Sequence, residues 1–127
     1  MNGVKSLFLL GLVLLSLAAF VVANDEQPVL GGPKQLEGDD RKAAIDELDA
    51  ALATLATGDG PSYKAINVKS VTDQVVSGSL KTYEVELKNG DDKKDCTVKI
   101  WSQPWLKENA TNIKIKCGNE GELDRTW

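Results

Sequence analysis

The chain has 127 residues, a net charge of −4 and no histidine. That length suits one domain and not comfortably two. The acidic balance supplies no basic face for nucleic acid, and the lack of histidine removes the usual general base near neutral pH.

Lys5 opens a short positive start, and an apolar run, LFLLGLVLLSLAAFVVA, occupies residues 7–23. Val21 and Ala23 are the small residues wanted at positions −3 and −1 of a signal peptidase site. Residues 1–23 are therefore expected to be a signal peptide cleaved before Asn24, leaving a secreted chain of residues 24–127. Loss of Lys5 moves the net charge from −4 to −5. A transmembrane anchor is the alternative, since the run approaches spanning length. The acidic, polar NDEQP that follows is not a stop-transfer cluster, and no other apolar run could span a bilayer, so no membrane contact is expected after cleavage.

Residues 24–38 (NDEQPVLGGPKQLEG) lack periodicity and are punctuated by glycine and proline. They read as a flexible N-terminal arm over 24–34, with a short strand candidate around residues 34–36. Within the arm sits an apolar pair, Val29 and Leu30, directly before Gly31. A helix is predicted from about Asp40 to Ala56, capped by Asp39 or Asp40. Ile45, Leu48, Leu52 and Leu55 share one face with Ala44 and Ala51, and the sequence GDGP ends the helix.

The period then falls to two. Ile66 and Val68 alternate with polar residues, as do Tyr83, Val85 and Leu87 further on. A turn at residues 89–92 (NGDD) precedes two further strands, 96–103 and 111–117. One apolar and one wet face per strand suits an antiparallel sheet covered on one side. The expected fold is α+β, a single helix packed on a four- to five-stranded antiparallel sheet.

Cys96 and Cys117 are an even pair in an exported chain, which suggests one disulfide closing a loop worth roughly 3 kcal/mol. Two free thiols and a metal pair are the alternatives; the absence of histidine weighs against metal. If Cys96 faces Cys117, then Val98 faces Ile115 and Ile100 faces Ile113, so bridge and apolar pattern agree on one register. Trp101 falls out of phase with Val98 and Ile100, which puts it on the sheet's outer face with no function attached.

Three apolar stretches now occupy loops: Val29-Leu30-Gly31 on the arm, Gln74-Val75-Val76-Ser77-Gly78 at the first hairpin tip, and Pro104-Trp105 at the second. Strand parity puts both tips at one end of the sheet. Exposed apolar loops side by side cost solubility unless a partner covers them.

QVVSG at residues 74–78 matches the Q-x-V-x-G signature of the cystatin family, and Pro104-Trp105 its second-loop pair. Leu30-Gly31-Gly32-Pro33 resembles its glycine-centred N-terminal trunk. The resemblance covers essentially the whole chain after residue 23 and looks most like a secreted insect-type cystatin. It implies reversible, tight-binding inhibition of papain-like cysteine proteases by a three-part wedge that fills the active-site cleft without being cleaved. On that resemblance Val29 and Leu30 would reach the non-primed subsites, and Gly31 would let the trunk approach closely. Residues 74–78 would form the centre, and Pro104 and Trp105 would press on the primed side.

Two departures qualify the match. Secreted vertebrate cystatins commonly carry a second disulfide where this chain has only the turn NGDDKKD. Some members also inhibit legumain through a Ser-Asn-Asp site after the helix; the matching stretch here, ATGDGPSY, has no asparagine, so legumain inhibition is not expected.

No phosphate loop, GxSxG motif or singled-out carboxylate pair points to catalysis, so the chain is not expected to be an enzyme, to bind a metal or to need a cofactor. The rival reading is a non-inhibitory binding or regulatory module on the same fold. Asn109-Ala110-Thr111 is an N-glycosylation sequon. A monomer is expected, with domain swapping through the first hairpin as the alternative.

Overall fold

The computed structural model describes residues 32–127. The elements are β1 (Lys34–Gln35), α1 (Gly38–Thr57), β2 (Lys64–Val75), β3 (Ser79–Asn89), β4 (Asp92–Ser102), β5 (Thr111–Cys117) and β6 (Leu123–Thr126). The strands form one sheet in sequential order, every neighbour antiparallel. The expected helix-on-sheet architecture is present, and the sheet has one strand more than the sequence pattern suggested.

The helix starts earlier than expected. Glu37 occupies the N-cap position without a side-chain cap, and Asp39 and Asp40 lie within the first turn. There their negative charge favours the helix's positive end without capping it. Ala44, Leu48, Ala51, Leu52 and Leu55 are buried against the sheet, while Ile45 is only half-buried. At the far end the N–H groups of Gly58 and Gly60 both donate to the Leu55 carbonyl, satisfying one of the helix's last free acceptors.

The sheet answers with Val71, Tyr83, Val85, Leu87, Val98, Ile100, Ile113 and Ile115 on its helix side, and Leu36 closes one edge. The Tyr83 hydroxyl donates to the Ala44 carbonyl at 2.8 Å, joining the two layers by a buried polar contact.

The alternation expected around Ile66 and Val68 does not hold. Two register shifts interrupt β2, between Ala65 and Asn67 and between Val68 and Ser70. Each adds a residue to one strand only, so the inward phase changes. Ala65, Val68 and Val71 turn toward the helix, and Ile66 is left 43% exposed. The carbonyl of Val68 accepts a bond from the Arg41 guanidinium at 2.6 Å, so the helix covers a group at the second irregularity.

The missed strand, β6, has its own reason. Arg125 lies directly opposite Ile113, in a row that otherwise faces the core. Its guanidinium escapes by reaching Asp59 beyond the helix end at 2.9 Å. A charge in an inward row hides the period-two signal.

Cys96 and Cys117 are bonded to each other and sit directly opposite in β4 and β5. Val98 faces Ile115 and Ile100 faces Ile113, the register the sequence implied. Among the described residues no helix is long and apolar enough to cross a membrane.

Candidate functional site: the edge formed by two hairpin tips

Both hairpin tips spring from one transverse row of the sheet. Val75 pairs with Ser79, Ser79 with Ser102, and Ser102 with Thr111. The first tip is therefore the three residues Val76, Ser77 and Gly78, and the second is residues 103–110. They leave the same end of adjacent hairpins, side by side.

In the first tip the Val76 N–H donates to the Gly78 carbonyl at 3.1 Å, closing the turn. Ser77 and Gly78 both have positive φ, +48° and +117°. A tight three-residue hairpin loop commonly needs left-handed residues. Val75 is 73% exposed although it is inward in phase, because the helix layer stops short of it. Gln74 and Val76 are half-buried.

In the second tip the Leu106 N–H donates to the Gln103 carbonyl at 3.0 Å, which makes residues 103–106 a hydrogen-bonded turn. Pro104 and Trp105 are its central pair, and proline's fixed φ suits the first of those positions. Trp105 is 59% exposed, with Leu106 exposed beside it. Leu106 was not singled out from the sequence; its only signal was an apolar side chain in the same tip.

Gly32, the first described residue, lies beside the same edge. Lys34 pairs with Asp73 and Gln35 with Thr72, so β1 runs away from the first tip and its N-terminal end lies nearest to it. Gly32 lines a groove of about 430 Å³ with Val75, Leu36 and Asp73. Val29, Leu30 and Gly31 lie outside the described residues.

The base of the first tip is pinned by polar contacts. Ser79 Oγ donates to Asp73 Oδ1 at 2.7 Å, and Lys81 Nζ donates to Ser79 Oγ at 3.2 Å. Lys81 also pairs with Glu47 of the helix at 3.0 Å. These charges are consumed below the tips; the tips and their base expose Val75, Pro104, Trp105 and Leu106 together with the polar Ser77, Lys107, Glu108 and Asn109.

The chain matches the family model described as "Cystatin domain" over residues 31–118. The chain belongs to the cystatin family. It is 74% identical to "Cystatin-like protein" of Drosophila melanogaster, over the full length of both chains. It is 40% identical to "Sarcocystatin-A" of Sarcophaga peregrina, over 88% of this chain and 92% of the relative. It is 29% identical to "Cysteine proteinase inhibitor 1" of Oryza sativa subsp. japonica, over 67% of this chain and 61% of that protein.

In this cystatin the two tips also touch one another from behind. A Cβ placed on Gly78 would lie 2.3 Å from the Ser102 carbonyl oxygen, which no substituent could accept without the hairpins moving apart. Gly78 is thus required by close approach as well as by its φ. Trp101 Nε1 donates to the Ser77 carbonyl at 3.3 Å. The sequence did place Trp101 on the outer face, but period alone could not show that it reaches the neighbouring hairpin. Asn109, at φ +57°, lines an outer-face groove of about 260 Å³ together with Trp101, Asn112 and Asp124. Among the described residues no group of three or more side chains could hold a metal ion.

Proposed function

We propose that this cystatin is a reversible, tight-binding inhibitor of papain-like cysteine proteases, and that its hairpin edge enters the active-site cleft. The observation that carries the reading is the placement of Val75, at the base of the first tip, beside Trp105 in the adjacent, internally bonded second tip, 73% and 59% exposed. Side chains so exposed on fixed loops gain most from a partner's pocket. The printed name of the rice relative, a cysteine proteinase inhibitor, points the same way.

Burying a Leu, two Val and a Trp contributes about 1.5–3 kcal/mol each. That gross gain of about 6–12 kcal/mol supplies micromolar binding at best once association is subtracted, so backbone and polar contacts along the edge supply the rest of a tight complex; hairpins already fixed lose little further entropy on docking. Val29, Leu30 and Gly31 extend the contact to the non-primed subsites, residues 74–78 fill the centre, and Pro104 with Trp105 bears on the primed side. Nothing in this scheme asks for catalysis, a metal or a cofactor. The inhibitor is secreted after loss of residues 1–23 and acts as a monomer. A glycan on Asn109 would leave from the groove it shares with Trp101, on the sheet's outer face, so it is compatible with an unobstructed edge.

The test is titration of residues 24–127 against active papain, for the parent and for Val75→Asp combined with Val76→Asp. Two buried charges in the cleft should weaken inhibition at least about 1,000-fold, with an unchanged circular-dichroism melt. Equal inhibition by parent and variant rejects the edge as the binding surface.

A further inference from the structure

The first tip is a short loop in an uncommon backbone conformation. Ser77 has φ +48° although it is not glycine. A non-glycine residue in that region is held there by its surroundings or relaxes out of it. The turn's own bond, Val76 N–H to Gly78 carbonyl, fixes one side of the loop. It leaves the Ser77 carbonyl, at the apex, free to swing.

Two groups from β4 meet the loop at that point. The Ser102 carbonyl lies so near Gly78 that a Cβ would stand 2.3 Å from it. One residue earlier in the strand, the Trp101 indole N–H donates to the Ser77 carbonyl at 3.3 Å. Trp101 is opposite Leu80 of β3, and Leu80 is opposite Gln74 of β2, so the indole stands in one outer row with the base of the first tip. Only 38% of Trp101 is exposed, on a sheet face that otherwise carries mostly polar side chains. The ring has no core to fill there, since Val98 and Ile100 point the other way.

We propose that Trp101 is a positioning residue for protease binding: its indole holds the Ser77 carbonyl and so keeps the first tip in its docking conformation. This rests on the reading of the two tips as the inhibitory edge. The loop samples the docking conformation for a fraction of the time, and the observed association rate scales with that fraction. Releasing the carbonyl lowers the fraction. It does not weaken the contacts made once docked, so dissociation is unaffected. A side chain that itself touched the protease would behave oppositely, acting mainly on dissociation.

The experiment uses residues 24–127 and the variant Trp101→Phe, which keeps a ring but loses the donor. Stopped-flow association with papain should slow by about 2- to 10-fold, the worth of one net hydrogen bond, at constant dissociation rate and with the melting temperature lowered by no more than about 8 °C. An unchanged association rate, or a faster dissociation at the parent's association rate, overturns the proposal. Two measurements make no use of the protease. In the parent, the Trp101 indole N–H should exchange with water more slowly than that of Trp105; equal exchange overturns the proposal. In Trp101→Phe the backbone order parameters of Ser77 and Gly78 should fall; parental values overturn it. If the parent fails to inhibit papain, the functional reading falls, and these two measurements still decide whether the indole fixes the loop.

Discussion

Tyr83 joins the helix to the sheet through one hydroxyl, and that hydroxyl is buried. Burial pushes its pKa up, and the negative charges of Glu47, Asp73 and Asp49 add to the effect. The sign for stability follows directly. A phenol that ionises more readily in the unfolded chain contributes fully below its ordinary value of 10.0 and less above it. Above about pH 10 the folded state holds one proton more than the unfolded state at this residue, so stability falls by about 1.4 kcal/mol per pH unit. Lys69 and Lys94, whose pKa values are raised by Asp95 and Glu120, act with the same sign, so the Tyr83 share must be read as a difference. Tyr83→Phe should cost about 1 kcal/mol at pH 7 and show a shallower decline above pH 10 in urea titrations. Parallel alkaline limbs for parent and variant would contradict the assignment.

The elements differ in how openly the sequence declares them, and the difference has physical causes. The helix was legible because its apolar residues recur at one spacing and GDGP stops it. The β4–β5 register was legible because two cysteines and two apolar pairs demand the same alignment. The tips were legible because QVVSG and Pro-Trp place apolar residues at turns, although Gln74 and Val75 finish β2 and only Val76, Ser77 and Gly78 form the first loop. β2 was legible as a strand but its phase was not, since its irregularities alter the phase without altering composition: Ile66 is as apolar as Val71, yet one is exposed and the other buried. β6 was masked by Arg125 in an inward row, and the Trp101 bond joins residues whose proximity depends on the pairing of β3 with β4. The phase change can be measured. Ile66→Thr should change unfolding free energy by less than about 0.5 kcal/mol, whereas Val71→Ala should cost about 2 kcal/mol through lost burial and the cavity left behind. Equal costs in urea unfolding would place Ile66 in the core after all.

Across the whole molecule, the sequential antiparallel order decides what lies where. Alternate connections fall at alternate ends of the sheet, so the two connections with apolar residues share an end and the NGDD turn takes the other. The single disulfide stands away from the hairpin edge. Cys96 precedes Ser102, the last residue of β4, by six positions, or roughly 20 Å of strand. Between bridge and tip the strands are held by their own ladder, with Val98–Ile115 and Ile100–Ile113 buried under the helix. The bridge therefore constrains the unfolded chain more than it shapes the tip. Closing a loop of 21 residues is worth about 3 kcal/mol. Replacing both cysteines, Cys96→Ser with Cys117→Ser, should remove about that much from the unfolding free energy and lower the melting temperature. Papain inhibition at 25 °C should stay within about twofold of the parent wherever the fold persists, because the closing bonds of both tips lie beyond the buried pairs. A loss of inhibition in a variant that remains fully folded would show that the bridge reaches the edge through β4, and that the ladder alone is too soft to hold the two tips together.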